Sequence, residues 1–240
     1  MADRVLRIGV LGLSRGFVLM RPTFLADPRC RLVAAADPRS EARAAFQAEF
    51  AGPAYASAEE LCGDPAVEIV YIASPHQMHV EQAILAARQG KHVLVEKPMA
   101  LSLADCRAMT EAAEASGVRL IVGPSHSYDP PIARTADLIA SGEHGALRMI
   151  TALNFTDFLY RPRRPEELNS AQGGGVVFSQ AAHQVDVVRR LAGAPVRSVR
   201  AQAGAWDPAR PTEGAYQAFM TFQGGATATL SYSGYGRYDT

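Results

Sequence analysis

Two short polar segments follow buried strands and carry side chains suited to proton transfer. Ser74-Pro75-His76 follows the run EIVYIA, and Glu96-Lys97-Pro98 follows HVLV. The carboxyl ends of parallel strands form the edge at which open α/β sheets bind ligands, so both segments are predicted to contact a ligand. The Lys97 ammonium would exchange a proton with a substrate hydroxyl there. The alternative is a solvated lysine paired with Glu96.

The turn after the first strand resembles a dinucleotide-binding turn in composition. Glycines in such a turn permit a tight bend and let a pyrophosphate approach the N–H groups that begin the next helix. The G-x-G-x-x-G pattern is only partly present, because Ser14 and Phe17 stand at its second and third glycine positions. The alternative is a strand-to-helix turn without a ligand. Contacts with a cofactor are predicted for Gly12, Ser14, Arg15, Gly16 and Phe17.

Asp37 ends the second predicted strand, where an acidic side chain can accept hydrogen bonds from the ribose hydroxyls of a dinucleotide. This position favours NAD as the cofactor, whereas Arg39 would bind the 2'-phosphate of NADP. Asp37 or Ser40 could instead cap the following helix. The predicted cofactor site also includes Ser74, Pro75, His76, His79, Glu96 and Lys97. For His79, capping or packing at a helix start is the alternative.

A helix predicted over residues 178–192 carries a polar stripe. At 100° per residue, Ser179, His183 and Asp186 lie within about 60° of one another, with His183 as a candidate general acid or base. The triple glycine at 173–175 indicates that the backbone approaches another group closely. The alternative is a solvated helix face. The opposite side of the helix carries Ala181, Val185, Val188 and Ala192.

The elements that position these residues alternate between strand and helix in the first half of the chain. Short apolar runs predict strands at 7–13, 31–37, 53–57, 68–74, 92–98 and 119–125. Helices are predicted at 16–26, 40–50, 58–62, 78–89 and 103–116. One of these helices is expected to pack on the sheet through Val80, Ala83, Ile84 and Ala87. The pattern predicts a doubly wound parallel sheet, a dinucleotide-binding α/β domain over residues 1–123.

The second half of the chain predicts an α+β domain over residues 124–240 with a mixed open sheet. It includes a helix at 132–142, a strand at 146–156, a polar loop at 161–175, the helix at 178–192 and a hairpin at 216–234. A two- or three-stranded sheet with one exposed face is marginal alone. We therefore expect this substrate and oligomerisation domain to be incomplete at its C-terminal end.

Composition excludes several classes of partner. Lys plus Arg equals Asp plus Glu, 24 each, so there is no excess positive charge for nucleic acid or an anionic membrane. No apolar run approaches the length needed to span a bilayer. Three widely spaced cysteines predict buried free thiols and a cytoplasmic protein. No spacing of histidines and carboxylates predicts a metal site.

As an ordered set, Glu96-Lys97-Pro98, GVLGL, AAADPR, ASPHQMH and GGGVVFSQAAHQVD resemble the Gfo/Idh/MocA family of nicotinamide-dependent oxidoreductases. EKPMAL, SHSYDPPI, YRPRRPEEL and QAAHQVD look most similar to its phthalate dihydrodiol and dihydroxyphthalate dehydrogenase branch. The resemblance implies a Rossmann domain, a domain built on a large open sheet, and a homo-oligomer, dimer or tetramer. It also implies that Lys97 is the catalytic lysine and that His183 is the histidine of a D-x-G-x-H segment.

Two features depart from the family pattern. Ser179 and Ala181 replace the Asp and Gly of the D-x-G-x-H segment. Either Lys97 and His183 suffice, or Asp186 contributes, or activity on sugar-type alcohols is lost. The chain is also shorter than the usual family member, so a truncated product is an alternative.

The resulting hypothesis is hydride transfer from a secondary alcohol or cyclic dihydrodiol, a small-molecule substrate, to a nicotinamide. Lys97 and His183 would share the hydroxyl proton. An aromatic carboxylate on the substrate would be bound by Arg161, Arg163 and Arg164, although a solvated basic loop explains these arginines equally well. A dinucleotide-binding sensor or interaction protein without turnover is the rival hypothesis.

Overall fold

The structure is a computed structural model that describes residues 4–123 and 125–237. It divides into two compact units, Met1–Gly123 and Pro124–Thr240, which are described separately. Within the described residues, none of the helices is long and apolar enough to cross a membrane.

The first unit is built on a six-stranded sheet in the order β3-β2-β1-β4-β5-β6, in which all neighbouring strands are parallel. Its strands are β1 (Leu6–Leu11), β2 (Cys30–Ala36), β3 (Ala54–Tyr55), β4 (Ile69–Ile72), β5 (His92–Glu96) and β6 (Leu120–Gly123). Its helices are α1 (Arg15–Ala26), α2 (Ser40–Phe50), α3 (Ala58–Gly63), α4 (His79–Arg88) and α5 (Leu103–Ala115). This is the predicted doubly wound architecture.

Both faces of this sheet are buried, which explains why its strands are continuous apolar runs. Val93 and Val95 face a cluster that includes Leu61 and Met109. The other face carries a second cluster, built on Val10, Tyr71, Phe17, Phe24 and Phe46. The carboxyl edge of the sheet is therefore supported by packed side chains from both layers.

The predicted packing face of α4 is largely confirmed, since Ala83 and Ala87 are buried and the half-buried Val80 packs against the core. Ile84 is half-buried, and the buried residues also include His79, Gln82 and Ala86. The buried face is rotated toward His79 and Gln82 because these two polar side chains find hydrogen-bond partners inside the unit.

The second unit contains a four-stranded mixed sheet in the order β7-β10-β9-β8. β10 pairs with β7 in parallel and with β9 antiparallel, and β8 pairs with β9 antiparallel. The strands are β7 (Met149–Phe155), β8 (Val196–Gly204), β9 (Ala215–Phe222) and β10 (Thr227–Ser233), and the helices are α6 (Pro130–Ser141) and α7 (Ala182–Ala192). Short 3-10 turns cover Ser125–Tyr128, Pro165–Leu168 and Ser170–Gln172.

One face of the second sheet packs on α7. Val188 is fully buried there, with Ala181, Val185 and Ala192 half-buried beside it, so the predicted core face of this helix is confirmed. Met149, Leu153 and Phe219 are among the large apolar residues that remain exposed on the strands. The second sheet therefore has a covered face and an open face, the usual arrangement for strands that are not enclosed by helices.

Two features of this unit differ from the predicted elements. β8, with sequence VRSVRAQAG, is not recognisable as a strand from its sequence, because arginines interrupt its apolar pattern and nearly all its residues are exposed. Charged residues are typical of an edge strand. The segment predicted as one helix over 178–192 begins instead as a π-helix at Val177–Ala181 and becomes α7 at Ala182.

Candidate active site

Two glycines let the turn after β1 lie close to the sheet. Gly12 has φ +89°, and a Cβ atom there would meet the backbone nitrogen of Ser74 at 2.8 Å. At Gly16 a Cβ would lie 3.2 Å from the Cβ of Ala73. Only glycine permits this positive φ and this approach at position 12. The turn is thereby held against the end of β4.

The first turn of α1 leaves backbone N–H groups available for an anion. The first helical hydrogen bond runs from the Val18 N–H to the Ser14 carbonyl, so the preceding N–H groups have no partner within the helix. Such a helix start is suited to a pyrophosphate. The Phe17 side chain is buried and packs against Phe46 and Phe50, so a contact of this residue with a cofactor would be made by its backbone.

Asp37 is buried and accepts four hydrogen bonds. The Leu13 N–H donates to its Oδ2 at 2.8 Å, and the Arg39 N–H donates to its Oδ1 at 2.9 Å. The Arg39 guanidinium donates once to each oxygen, at 2.9 Å. Burial raises the pKa of Asp37, but the hydrogen bonds from Arg39 and Leu13 outweigh it and lower the pKa overall. A carboxylate offers about four acceptor positions, so ribose hydroxyls and Arg39 compete for Asp37.

Neither Asp37 nor Ser40 caps α2. The N-cap residue is Arg39, and it makes no side-chain capping bond. The Arg39 guanidinium also donates to the Ser14 hydroxyl at 3.2 Å, so it links the ends of β1 and β2. Its side chain is 47% exposed, which leaves it accessible to a phosphate.

His79, for which packing at a helix start is the alternative to a cofactor contact, is held inside the first unit. The side chain is fully buried. Its Nδ1 lies 3.0 Å from the Pro98 carbonyl and its Nε2 lies 3.1 Å from the Ser74 carbonyl. Burial lowers the pKa of His79, although its contacts with these carbonyls act in the opposite direction. The nearby His76 ring meets the His79 ring edge-on at 5.6 Å between centroids.

Glu96, Lys97 and Pro98 lie where β5 ends, as the sequence predicts. The Tyr71 hydroxyl, which comes from the neighbouring strand β4, donates to Glu96 Oε1 at 2.7 Å. Burial raises the pKa of Tyr71, as does the Glu96 carboxylate, so the hydroxyl remains a donor. Lys97 is half-buried, and the Lys97–Pro98 peptide is cis.

The polar stripe of the second unit contacts the 3-10 turn Ser125–Tyr128. The His183 and His126 rings meet edge-on with centroids 4.3 Å apart. His126 Nδ1 lies 3.0 Å from the Asp129 carboxylate. The Ser127 hydroxyl donates to the Asp186 carboxylate, so Asp186 already has a partner from another segment. His183 and Asp186 therefore contact side chains of the Ser125–Tyr128 turn, so the polar stripe is not simply a solvated helix face.

Ser179 and the triple glycine have structural contacts. The Ser179 hydroxyl donates to the Gly175 carbonyl one turn earlier. At Gly174 a Cβ would lie 2.5 Å from the Glu166 carbonyl, and at Gly175 it would overlap the Glu213 carboxylate. The close backbone approach that the glycines predicted is thus an approach to other parts of the same unit.

Arg161, Arg163 and Arg164, which are predicted to clamp a carboxylate, each have a partner of opposite charge. Arg161 donates to Asp157, and Arg164 lies 3.4 Å from Glu166. The Arg163 side chain is 6% exposed, with its guanidinium 3.8 Å from the Phe158 ring centroid and 3.4 Å from Glu167. Each charge therefore has a carboxylate partner close in sequence, and the Arg163 side chain is buried.

Three residues near the candidate site are not evident from the sequence patterns. Tyr71 lies in a buried aliphatic run, where the need of its hydroxyl for a partner is the one available signal. Ser127 and His126 lie in a short polar turn without a motif. Nothing in their local sequence shows that the Ser125–Tyr128 turn contacts α7.

The fold and the strand-end residues together define a class of protein. A parallel sheet in the order 3-2-1-4-5-6, a glycine turn after its first strand and an acidic residue after its second are the features of a nicotinamide dinucleotide-binding domain. The first-turn N–H groups of α1 and the Asp37–Arg39 pair fit the pyrophosphate and the adenosine ribose of such a group. The first unit is therefore a Rossmann domain.

The chain belongs to the Gfo/Idh/MocA oxidoreductase family. Residues 6–124 match the model described as "Oxidoreductase family, NAD-binding Rossmann fold", and residues 132–240 match the GFO/IDH/MocA C-terminal domain. These matches confirm the resemblance and the fold class that the sequence motifs indicate.

Three relatives illustrate the similarity. The chain is 52% identical to 1-carboxy-3-chloro-3,4-dihydroxycyclohexa-1,5-diene dehydrogenase of Comamonas testosteroni, over 98% of this chain and 59% of that protein. The crystal structure of a proposed dehydrogenase from Bordetella bronchiseptica RB50 is 42% identical, with TM-score 0.93 over 98% of this chain and 62% of that one. The crystal structure of WlbA dehydrogenase from Bordetella pertussis, in complex with NADH and UDP-GlcNAcA, is 27% identical with TM-score 0.85. The match covers 100% of this chain and 70% of that one.

The chain spans 59% of the length of the Comamonas testosteroni relative. The activity, substrate and partners of the whole protein are therefore matters of proposal.

Proposed function

We propose that the protein oxidises a secondary alcohol, or a cyclic dihydrodiol, by transferring a hydride to a nicotinamide dinucleotide. The observation that carries this proposal is the set of polar residues at the carboxyl edge of the Rossmann sheet, with Glu96-Lys97-Pro98 at the end of β5. When bound, the nicotinamide supplies the hydride acceptor. NAD is the expected cofactor, and the exposed guanidinium of Arg39 supports acceptance of NADP as well.

Lys97 and His183 are proposed to share the proton that the substrate hydroxyl gives up. A carbon can release a hydride readily only if its oxygen becomes a carbonyl, which requires a group that accepts the proton. Lys97 contributes an amine at a strand end. His183 contributes an imidazole supported by His126, the ring of which is in contact with it.

The substrate is proposed to be a carboxylated cyclic dihydrodiol. The similarity to the Comamonas testosteroni dehydrogenase, which is named for a carboxylated cyclohexadiene diol, supports this class. Oxidation of such a diol gives a hydroxyketone that tautomerises to a catechol, so the gain of aromaticity drives the reaction forward. Arg164 is the most exposed of the three loop arginines, at 66%. It is therefore the one proposed to bind the substrate carboxylate.

The test is NADH formation, followed at 340 nm, with a panel of cis-dihydrodiols with and without a ring carboxylate. We expect turnover with the dihydrodiols, faster with the carboxylated members, and slower or no turnover with inositols and sugars. No absorbance growth with any diol or polyol, in the presence of tight NAD binding, would overturn the proposal.

A dinucleotide-binding protein without turnover is the second candidate, and one observation favours it. Ser179, which stands where the family segment has an acid, donates its hydroxyl to the Gly175 carbonyl. Thermal stabilisation by NAD without NADH formation would select this alternative.

A homo-oligomeric, cytoplasmic protein is also proposed. The exposed Met149, Leu153 and Phe219 on the second sheet support self-association, because clustered exposed apolar residues mark interaction surfaces. The free thiols of Cys30, Cys62 and Cys106 support a reducing compartment.

A further inference from the structure

Lys97 lies between two residues that are each held by a buried polar side chain. Glu96, on its amino side, accepts a hydrogen bond of 2.7 Å from the Tyr71 hydroxyl. Pro98, on its carboxyl side, has its carbonyl oxygen 3.0 Å from His79 Nδ1. We propose that Tyr71 and His79 are positioning residues that fix the backbone around Lys97, an inference that rests on the proposed role of Lys97 in proton transfer.

Both side chains are built into the rigid part of the unit. Tyr71 is 1% exposed, and its ring packs edge-on against Phe24 with centroids 5.2 Å apart. His79 is 0% exposed and opens α4. A side chain held on all sides by packing places its polar atom with little freedom, which is what a residue that positions a reactive group requires.

The two contacts come from different elements. Tyr71 belongs to β4, the neighbour of β5 in the sheet, whereas His79 belongs to the helix that connects these two strands. The carboxyl end of β5 is therefore contacted by a residue of the neighbouring strand β4 and by a residue of the helix α4. The His79 contact reaches the backbone of Pro98, and the Tyr71 contact reaches the side chain of Glu96.

The two nitrogens of His79 are not equivalent. Both face backbone carbonyl oxygens, but a neutral imidazole has only one N–H to donate. Burial lowers the pKa of His79, so the neutral ring is the relevant form. Ser74 is also held through its hydroxyl, which donates to Gln82 at 2.6 Å. We therefore assign the N–H to Nδ1, where it donates to the Pro98 carbonyl.

Two amide substitutions separate this role from simple core packing. The amide nitrogen of asparagine reaches about the place of Nδ1, and that of glutamine reaches about the place of Nε2. His79→Asn should keep the contact with Pro98, and His79→Gln should keep only the contact with Ser74. We expect kcat within about threefold of wild type for His79→Asn and at least about tenfold lower for His79→Gln, because misplacement of a catalytic group by a fraction of an ångström slows the reaction. The Kd for NAD should change less than about twofold in both.

Tyr71→Phe tests the other contact and keeps the buried ring. We expect kcat to fall about tenfold with an unchanged Kd for NAD. In Glu96→Gln a glutamine oxygen still accepts from the Tyr71 hydroxyl, so this variant removes the charge of Glu96 and keeps the hydrogen bond. Combining it with Tyr71→Phe shows whether the two residues act as a pair.

A second readout does not depend on turnover. The chain has two lysines, Lys91 and Lys97, so protein labelled with ¹³C at the lysine ε carbon gives two side-chain signals. The Lys97 signal should shift or broaden in His79→Gln and Tyr71→Phe, while the Lys91 signal stays in place.

The proposal is overturned if His79→Asn and His79→Gln lower kcat equally, or if the Lys97 signal is unchanged in both His79→Gln and Tyr71→Phe. An inactive wild-type protein is a different result. It would remove the proposed oxidation, while the lysine signals would still decide whether Tyr71 and His79 position Lys97.

Discussion

The two ends of β5 carry the two lysines of the chain and use them differently. At the amino end, the Lys91 ammonium donates to the carbonyls of Asp64 and Val67, at 2.7 and 2.9 Å, and so ties the strand to the segment before β4. At the carboxyl end, buried side chains hold the neighbours of Lys97 instead. Lys91 thus connects two segments of the fold, whereas buried side chains hold the residues on either side of Lys97.

This difference follows from the geometry of parallel sheets. Ligands bind at the carboxyl ends of the strands, so polar groups there must be positioned but remain accessible. At the amino ends, charged groups are free to satisfy the carbonyls of connecting segments. A lysine next to a buried parallel strand is therefore a candidate for catalysis when it lies at the carboxyl end of that strand.

Replacement of the two lysines should give opposite results. Lys97→Met should lower kcat by about 10²- to 10⁴-fold, the usual contribution of a general acid or base, with Kd for NAD nearly unchanged. Lys91→Met should leave kcat within about twofold of wild type. Steady-state rates at 340 nm and NAD titrations check both variants. A large loss of kcat in Lys91→Met, matching that of Lys97→Met, would contradict the comparison.

Lys91 should instead matter for stability. Hydrogen bonds to charged groups contribute about 1.5–3 kcal/mol, and Lys91→Met removes two of them, although the Asp64 carbonyl keeps the Val67 N–H as a donor. We expect the free energy of unfolding to fall by about 2–3 kcal/mol in urea titrations. Lys91→Arg, which keeps the charge and donors, is the control and should lose less. Equal stability of Lys91→Met and wild type would show that these contacts contribute little.

At the carboxyl end of β2, Arg39→Ala should change the cofactor preference. The substitution frees acceptor positions on Asp37 for ribose hydroxyls and removes the guanidinium available to a 2'-phosphate. We expect the ratio of Kd for NADP to Kd for NAD to rise by about tenfold, measured by Trp206 fluorescence or calorimetry. If the ratio does not change, Arg39 has no part in choosing between the two cofactors.

Lowering the pH should slightly decrease the contribution of His79 to the free energy of unfolding. The pKa of His79 lies below its value of 6.5 in the unfolded chain, because burial disfavours the charged ring. The unfolded state therefore binds more protons, and the contribution of His79 to stability decreases as the pH falls below about 6.5. Urea unfolding at pH 7.5, 6.5 and 5.5 should show a smaller decrease for His79→Asn than for wild type. Parallel pH curves for the two proteins would contradict this reasoning.

Much of the first unit could be predicted from its sequence, because buried parallel strands are continuous apolar runs and their order fixes where they end. The position of Lys97 at the end of β5 followed from the run HVLVE alone. The partners of this segment did not, because Tyr71 and His79 lie 25 and 19 residues away from the residues they hold. Their roles depend on tertiary packing that no local pattern records.

The second unit was harder to predict, for physical reasons. β8 has arginines and exposed residues along its length, so its edge position conceals the strand pattern. The arginines at 161–164 were assigned to a ligand, although Glu166 and Glu167 nearby were available to pair with them. Glycines 173–175 correctly indicated close approach, but the residues they approach come from elsewhere in the unit.

The most direct test of the proposed reaction is a double-substitution cycle on Lys97 and His183. If both residues handle the same proton, the rate loss in Lys97→Met/His183→Asn should be close to that of the slower single variant, because groups that act as a unit are not additive. If instead the two single losses in kcat multiply in the double variant, Lys97 and His183 act independently, and the proposal that they handle the same proton is contradicted.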